Sequence, residues 1–379
     1  MGGILKGLSM KTINKTGHKY TIFNDLHIGV SRKSGVTQQS QEGLRSCVLD
    51  QTKSLLNLAY GGNVILLGDI FNSFEIPARD WIDAYLLLAD WCETNKTSTL
   101  IVVAGNHDIS PRALKVSAFE TLGTVLVKQF ENVKVIGIDE TLTVDGYIHL
   151  VAHHRNQELF DLTLAKVLED CERGDYVLLH ANYDNKFAEQ ADHSLNVSAE
   201  QALEFTKKGV SLVFAHEHQS RVEIPHGTPA DGGSVICLGN QIPTSVADCL
   251  GNNSKFYWAL TDNNIQKFEC WNDRKGSDGG YEAVDWRHLD QDCSAKFIRV
   301  VGDATNAEAA QVIDAIHRFR QKSHAFVITN AVKIEGIADI ESLPDTFEAA
   351  KKFDVMEFVY GQLNEAEAEV IRKIIGNME

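Results

Sequence analysis

The sequence lacks any apolar run of the roughly 18 residues that a membrane-spanning helix needs. Residues 1–6 lack the apolar core of a signal peptide. Its seven cysteines are odd in number and include no C-x-x-C pair, which argues against a disulfide framework and against a thiolate zinc site. We therefore expect a cytoplasmic protein, in the host cytoplasm if the source is viral, without membrane contact.

An excess of positive charge is also missing. The chain has 36 Lys and Arg residues against 52 Asp and Glu residues, a net charge of -16. Nucleic-acid binding gains much of its affinity from basic side chains that displace counterions from phosphates. If the substrate is a nucleic acid, then metal ions, local basic loops or a partner must supply the positive charge.

The length of 379 residues predicts one large domain with a smaller one, and hydrophobic residues make up 44% of an ordinary globular composition. Predicted strands alternate with helices, for example a helix over residues 38–58, and a run of β-strands follows. This order indicates an α/β sandwich with mixed sheets.

Three signals predict where helices begin. A helix start is predicted at Pro111, and capping boxes are predicted for Ser198 with Gln201 and for Thr305 with Glu308.

The most informative motif follows an apolar, β-branched run at residues 100–104. This run predicts a buried parallel strand, after which the chain turns at Gly105 and presents Asn106, His107 and Asp108 together. Folding alone does not need this trio. An amide oxygen can bind a metal, an imidazole can transfer a proton and a carboxylate can orient that imidazole, so the trio points to phosphoester hydrolysis.

Other predicted strands end in similar side chains. Because open α/β sheets place their sites at the carboxyl ends of the strands, we expect these groups to converge. Together with Asn106, the candidate metal ligands are Asp25, His27, Asp69, His180, His216 and His218.

Two divalent cations about 3.5–4 Å apart can lower the pKa of a water between them and align it for in-line attack on phosphorus. We predict Asp69 as the bridging carboxylate. Mixed imidazole and oxygen donors suit Mn²⁺ better than Mg²⁺ or Ca²⁺, with iron or zinc as alternatives. The predicted ligands are Asp25, His27 and His218 for one ion, and Asn106, His180 and His216 for the other.

His107 is predicted to donate a proton to the leaving oxygen, with Asp108 as its orienting partner. Taken singly, a D-x-H, GD or H-x-H motif is most often incidental, and Gly105 can be explained by its permissive backbone alone. The joint order of the motifs favours a site. A degenerate scaffold that kept the fold and lost its activity is the alternative from another class, and the intact ligand positions argue against it.

The order D-x-H, GD, GNHD, strand-end His and H-x-H resembles that of the calcineurin-like metallophosphoesterases and spans residues 20–218. The resemblance implies a four-layer αββα sandwich with a small α+β capping domain. It also implies the two-metal roles given above, with His107 as the catalytic histidine.

Within this superfamily, the chain is more similar to the SbcD and meiotic recombination eleven nucleases than to phosphoprotein phosphatases. The phosphatases usually read GD-x-x-D-R-G and R-G-N-H-E, whereas this chain reads GDIFN at 68–72 and AGNHD at 104–108. The stretch LGNQIPTS at 238–245 is similar to the G-S-P-like turn of those nucleases. There are departures: Asn72 stands where they often have His or Asp, and Ala215 replaces the usual Gly before H-x-H.

The resemblance implies a manganese-dependent DNA exonuclease and endonuclease for repair or recombination, homodimeric and bound to an SbcC-like coiled-coil ABC ATPase. The alternative enzyme is a small-molecule or cyclic-nucleotide phosphodiesterase, which the acidic composition favours. The expected domains are a nuclease domain at 1–271, a linker at 272–284, a capping domain at 285–340 and C-terminal helices at 341–379. Those helices either contact the ATPase or pack on the cap.

Basic residues shortly after the strand ends predict a phosphate-guiding rim. Four histidines outside the motifs are interpreted as structural. The rim residues are Arg32, Lys33, Arg112, Lys115, Arg155, Lys186 and Arg221, and the histidines are His149, His153, His154 and His193.

Overall fold

The structure is a computed structural model that describes residues 19–31, 37–110, 115–185, 194–250, 254–261, 264–272, 280–289 and 293–335. All seven cysteines lie within these ranges, and none forms a disulfide. Across the same ranges, no helix combines the length and apolar character that crossing a membrane requires.

Six α-helices and nineteen β-strands are found in the described residues. The helices are α1 Gln38–Leu58, α2 Ala78–Thr94, α3 Ala118–Gln129, α4 Gln157–Asp170, α5 Ala199–Lys208 and α6 Ala309–Lys322. The strands are β1 Tyr20–Phe23, β2 Asn63–Leu67, β3 Leu100–Val103, β4 Val133–Ile136, β5 Thr141–Val144, β6 Ile148–Val151, β7 Tyr176–His180, β8 Asn182–Tyr183, β9 Asn196–Val197, β10 Ser211–Ala215, β11 Arg221–Glu223, β12 Val235–Cys237, β13 Ser254–Leu260, β14 Ile265–Asn272, β15 Tyr281–Asp285, β16 Phe297–Val301, β17 Asp303–Ala304, β18 Val327–Asn330 and β19 Lys333–Ile334.

Two six-stranded mixed sheets form the core. The first has the order β14-β13-β1-β2-β3-β4, in which β1 to β4 are parallel and β13 and β14 are antiparallel additions. The second has the order β11-β12-β10-β7-β6-β5, with four parallel central strands and an antiparallel strand at each edge. The carboxyl ends of the parallel strands lie at one edge of each sheet, where the predicted ligands follow.

Alternating side chains of the second sheet explain how the layers pack. Leu178 and Val213 belong to the apolar cluster that contains the first sheet. Their neighbours Leu179 and Phe214 pack with Phe160 of α4 and with residues of α5. Because successive side chains in a strand point to opposite faces, the second sheet lies between the first sheet and its own helices. The predicted mixed α/β sandwich is confirmed.

Several local predictions can be compared with the structure. The capping boxes at Ser198 and Thr305 are confirmed. In the described residues that follow Pro111, a helix begins at Ala118, where Ser117 and Glu120 form a capping box. Pro111 itself lies outside the described residues.

A third, all-parallel sheet has the order β15-β16-β18, and α6 connects β16 to β18. Residues 281–284, expected in a linker, belong to β15, and the single strand expected over 325–334 is divided into β18 and β19. Phe326 lies against α1 at Gly43, where a Cβ atom would come within 2.8 Å of its ring.

The chain divides into two compact units: Met1–Gly302 with Ala310–Val332, and Asp303–Ala309 with Lys333–Glu379. Within the second unit, β17 pairs in parallel with β19. The expected division at residues 271, 285 and 340 stays a prediction. The helices predicted within 341–379 lie outside the described residues.

Candidate dimetal centre

The seven predicted ligands come together where the two large sheets present their strand ends. Asp25 and His27 follow β1, Asp69 follows β2 and Asn106 follows β3, which are neighbours in the first sheet. From the second sheet, His180 ends β7, and His216 and His218 follow the adjacent β10.

The first group of ligands is Asp25, His27 and His218. Nε2 of His27 lies 3.4 Å from Nε2 of His218, and each of these nitrogens is 4.0 Å from Oδ1 of Asp25. Oδ1 of Asp25 is buried and has no hydrogen-bond partner among the described residues. Two imidazole nitrogens and one carboxylate oxygen therefore lie around a common point.

The second group joins Asp69 and Asn106 to His180 and His216. Oδ1 of Asn106 is 3.0 Å from Nε2 of His180 and 3.1 Å from Nδ1 of His216. Oδ2 of Asp69 lies 3.3 Å from Nε2 of His180. Asp69 also belongs to a further group with His27 and His107, so it stands between the two clusters.

The ring of His180 provides a test of whether the site fits a cation. Its Nδ1 lies 3.1 Å from the carbonyl oxygen of Leu67, which can only accept, so Nδ1 carries the proton. Nε2 then faces the oxygens of Asn106 and Asp69, which accept either a proton carried by Nε2 or a cation placed between the three atoms. One imidazole nitrogen, one carboxylate oxygen and one amide oxygen around a common point form a donor set that fits a divalent cation.

Each aspartate uses one oxygen for the backbone and directs the other into the cluster. Oδ2 of Asp25 accepts a hydrogen bond from the backbone N–H of His216 at 3.1 Å. Oδ1 of Asp69 accepts one from the backbone N–H of His107 at 2.9 Å. The carboxylates thus fix the H-x-H and GNHD segments while they contribute to the site.

The backbone is strained at these positions. In the described residues, seven non-glycine residues have a positive φ, and four of them are predicted ligands: Asp25, His27, Asp69 and His216. Such conformations cost on the order of 1–3 kcal/mol each and cluster at functional sites. The strained backbone allows neighbouring side chains in the D-x-H and H-x-H motifs to turn toward one point.

Two motif glycines are required by close approach. A Cβ atom at Gly68 would lie 2.1 Å from Nδ1 of His180, and one at Gly105 would lie 2.3 Å from Oδ1 of Asp69. Gly68 also has a φ of 82°. Gly105 is therefore explained by the approach of Asp69 rather than by a permissive backbone.

Burial and charge set the protonation of the cluster. Burial lowers the pKa of His27 to about 4, which keeps its ring neutral. Burial alone would also lower the pKa of His180, but the charge of Asp69 outweighs it and raises that pKa to about 10. Burial likewise opposes the ionisation of Asp69, yet His180 holds the pKa of that carboxyl well below its usual range. The negative charge of Asp69 therefore stabilises a positive charge within the second group of ligands.

His107 lies beside the cluster and is 36% exposed. Its Nε2 is 4.0 Å from Oδ2 of Asp69, and its Nδ1 is 2.7 Å from the backbone carbonyl of Asn72. The expected orienting contact with Asp108 is wrong, since no hydrogen bond joins these two described side chains. The sequence could not identify the partner because a backbone carbonyl has no residue-type signal.

Asp108 instead forms hydrogen bonds with the two loops that follow β2 and β3. It is fully buried and accepts hydrogen bonds from the backbone N–H groups of Ile70, Phe71 and Gly105 at 3.0–3.2 Å. Burial and the nearby charge of Asp69 raise the pKa of Asp108 to about 7. Its position between the loops indicates that it holds the GD and GNHD segments in register.

Asp248 was not predicted and supports the first group. Its Oδ1 lies 2.6 Å from Nδ1 of His218, and its Oδ2 accepts from the backbone N–H groups of Thr244 and Ser245. Burial would raise the pKa of Asp248, but its hydrogen bond with His218 lowers that pKa below its usual range. No spacing pattern relates Asp248 to the H-x-H motif, so sequence reasoning had no signal for it.

The predicted basic rim is largely neutralised where the structure describes it. Lys115 pairs with Glu75 at 2.5 Å, and Arg155 pairs with Asp139 at 3.4 Å. Arg221 pairs with both Glu217 and Glu223. The other predicted rim residues, Arg32, Lys33, Arg112 and Lys186, lie outside the described residues.

The histidines interpreted as structural differ in their surroundings. His154 bonds to the carbonyl of Ala152 and to the hydroxyl of Thr163, which satisfies both ring nitrogens. His153 is buried near His180, and burial lowers its pKa to about 3. His193 lies outside the described residues.

The family model of the calcineurin-like phosphoesterases matches residues 18–220, more than half of the chain. The chain belongs to this family. Membership makes it a phosphoester hydrolase of a family that uses two divalent metal ions, for which the two clusters provide candidate positions. Among curated proteins, none matches the phosphoesterase significantly.

Two solved structures have a similar arrangement of the backbone. The protein TT1561 of Thermus thermophilus is 12% identical, with a TM-score of 0.40 over 68% of this phosphoesterase and 100% of that chain. A dimetal phosphatase from Danio rerio is also 12% identical, with a TM-score of 0.39 over 67% of this phosphoesterase and 96% of that chain.

Proposed function

We propose that this phosphoesterase is a manganese-dependent phosphodiesterase acting on DNA, an exonuclease and endonuclease subunit of an SbcC–SbcD-like complex used in repair or recombination. The resemblance of GDIFN, AGNHD and the turn at 238–245 to that nuclease branch supports the choice of DNA. The single observation that carries the catalytic part is the position of His107, one-third exposed beside two converging ligand clusters.

Two cations are proposed to bind on either side of Asp69. When bound, they supply positive charge that polarises the phosphoester and lowers the pKa of water. We assign Mn²⁺ because the donors mix imidazole nitrogens with carboxylate and amide oxygens. One ion is assigned to Asp25, His27 and His218, and the other to Asn106, His180 and His216.

His107 is assigned the proton transfer. The Asn72 carbonyl accepts from Nδ1, so the ring is fixed with Nε2 directed toward the cluster. In the imidazolium form, Nε2 gives its proton to the leaving oxygen as the P–O bond breaks, and the ring returns to neutral. Asp108 acts as a positioning residue that keeps the GNHD loop against the GD loop.

The charge of the chain limits how it can hold DNA. The net charge is -16, and the described rim residues Lys115, Arg155 and Arg221 are already paired with acidic groups. The proposed source of the missing positive charge is a coiled-coil ABC-type ATPase, which would bind through residues 341–379 of a homodimeric phosphoesterase. Seven free cysteines fit the reducing cytoplasm in which we place this complex.

Digestion of linear duplex and single-stranded DNA with Mn²⁺ tests the substrate. We expect cleavage by the wild type and none in the presence of a chelator. His107→Ala should be at least 100-fold slower while it still binds metal, since general acid catalysis contributes about 10²–10⁴-fold. Absence of cleavage on every DNA form, with turnover of a cyclic dinucleotide, would overturn the assignment to DNA.

The ion pairs of Lys115, Arg155 and Arg221 favour a second candidate function, hydrolysis of a small or cyclic phosphodiester. Such a substrate needs no extended basic surface. It predicts turnover of a cyclic dinucleotide that exceeds DNA cleavage under identical conditions.

The ATPase partnership is tested separately by purification from native cells. Recovery of a large ATP-binding chain supports it, and recovery of the phosphoesterase alone contradicts it.

A further inference from the structure

A second group of metal-ligating side chains lies away from the dimetal centre. It consists of His149 on β6, Cys171 at the end of α4 and Asp175 just before β7. Potential ligand atoms of the three residues lie within 4.8 Å of one another. His180 comes five positions after Asp175, so the group lies roughly 16 Å away along the strand, at about 3.3 Å per residue, near the opposite end of β7.

All three side chains are more than nine-tenths buried, with exposed fractions of 6% for His149, 2% for Cys171 and 6% for Asp175. They come from separate stretches of the chain, so no spacing motif such as C-x-x-C identifies them in the sequence. Burial raises the pKa of the Cys171 thiol to about 12, so the thiol is neutral without an ion. As a thiolate, Cys171 would join the Asp175 carboxylate in balancing the two charges of a divalent cation in the interior, where unpaired charge is costly.

The distance between His149 and Asp175 suits one ion. Nε2 of His149 lies 3.0 Å from Oδ2 of Asp175. Two ligands of a tetrahedral Zn²⁺ ion with bonds of about 2.0–2.1 Å are separated by about 3.3 Å, so only a small opening of this pair is needed.

Supporting hydrogen bonds are already in place around the ligands. Nδ1 of His149 lies 3.2 Å from the hydroxyl of Thr143, so with an ion at Nε2 it can donate its N–H to that oxygen. Oδ2 of Asp175 accepts from the backbone N–H of Glu172 at 2.7 Å, which fixes the carboxylate. His149 and Thr143 also line a cavity of about 520 Å³.

We propose that His149, Cys171 and Asp175 bind a thiophilic divalent cation of the Zn²⁺ class, which joins β6 to the end of α4 and the start of β7. Cysteine sulfur and histidine nitrogen are preferred zinc ligands, and a three-residue set leaves one position for water. On binding, the thiol of Cys171 releases one proton to solvent, and the His149 proton that faces Asp175 on Nε2 is transferred to Nδ1, which then donates to the hydroxyl of Thr143. The site is structural and independent of phosphodiester hydrolysis.

Cobalt(II) added to the metal-free full-length protein tests this site without an activity assay. A cobalt–thiolate bond gives a charge-transfer absorption in the near ultraviolet, whereas the nitrogen and oxygen donors of the dimetal centre give none. At saturation of all sites with cobalt, we expect this absorption to have the intensity of one cobalt–thiolate bond per chain and to disappear when Zn²⁺ is added. Its absence from wild-type protein saturated with cobalt would overturn the proposal.

Two variants and a matched control assign the absorption. Cys171→Ser and His149→Gln should lose it. Cys92→Ser should retain it, because Cys92 is equally buried but belongs to no three-residue ligand group in the part of the chain that the structure describes. Persistence in Cys171→Ser would overturn the assignment. If that variant does not fold, His149→Gln decides: loss of the absorption supports the site, and its retention contradicts it.

Discussion

His180 and His218 face the same dimetal centre, but their second ring nitrogens are held by different kinds of partner. Nδ1 of His180 donates to the backbone carbonyl of Leu67, and Gly68 leaves room for the ring. Nδ1 of His218 is held by the side chain of Asp248, thirty residues along the chain. The half that contains His180 depends on main-chain geometry and on glycines, and the half that contains His218 depends on the carboxylate of Asp248. Substitutions in the two halves should therefore have different effects on metal binding.

The largest effect is expected from Gly105→Ala. Its Cβ would lie 2.3 Å from Oδ1 and 2.4 Å from the backbone nitrogen of Asp69, so the Asp69 carboxylate, proposed as the bridge, must move. We expect loss of bound Mn²⁺ and of hydrolysis, with a decrease of about 1–3 kcal/mol in the free energy of unfolding from overpacking. Metal analysis and denaturant unfolding measure these effects.

Gly62→Ala is the matched control, since the nearest atom to its added Cβ is 3.6 Å away. It should keep metal content and activity. A Gly105→Ala variant with full metal content would show that Asp69 does not need the space that Gly105 provides.

His107→Gln should separate catalysis from metal binding in both halves. The variant removes the proton donor but no predicted ligand, so kcat should decrease by about 10²–10⁴-fold at unchanged metal content. Turnover of a chromogenic phosphodiester and metal analysis provide the two readouts. The exposed His226→Gln serves as control, and loss of metal from His107→Gln would assign His107 to the ligands instead.

Asp248→Asn should weaken only the half that contains His218. Loss of a carboxylate behind a metal-binding histidine typically reduces metal affinity by about 10–100-fold. A Mn²⁺ titration should show one weakened and one unchanged site, whereas the exposed Asp231→Asn should leave both unchanged. Equal weakening of both sites would show that the two halves are not supported independently.

The smallest effect on turnover is expected from Asp108→Asn. Three backbone N–H groups would then meet an amide instead of a carboxylate, at a cost of about 1–3 kcal/mol in the free energy of unfolding. Thermal unfolding should show this loss, while kcat of the folded variant stays within a few-fold of wild type. A decrease in kcat as large as that of His107→Gln would restore the catalytic role first predicted for Asp108.

The same contrast explains what the sequence could predict. Apolar runs such as Leu100–Val103 identify the buried parallel strands, and the rule that sites lie at carboxyl ends brings their following residues to one edge. The motif glycines and the candidate ligands of both halves follow these strands in short motifs and could be recognised. Asp248 and the Asn72 carbonyl could not, because their roles depend on loop conformations that no local pattern encodes.

Short or polar elements were also missed for physical reasons. β5 and β15 have several exposed or half-exposed residues, so their apolar alternation is weak. The helix start at Ser117 was available as a capping box with Glu120, but Pro111 is an equally ordinary start signal. The cluster of His149, Cys171 and Asp175 combines distant residues and had no spacing pattern at all.

Electron paramagnetic resonance of Mn²⁺ bound to the full-length phosphoesterase tests most directly whether Asp69 joins two ions in one centre. At two equivalents, we predict an exchange-coupled spectrum that is lost in Asp69→Asn, where binding of single ions persists. Two equivalents that bind but give only the spectrum of isolated ions, or a coupled spectrum unchanged by Asp69→Asn, would contradict a centre bridged by this carboxylate.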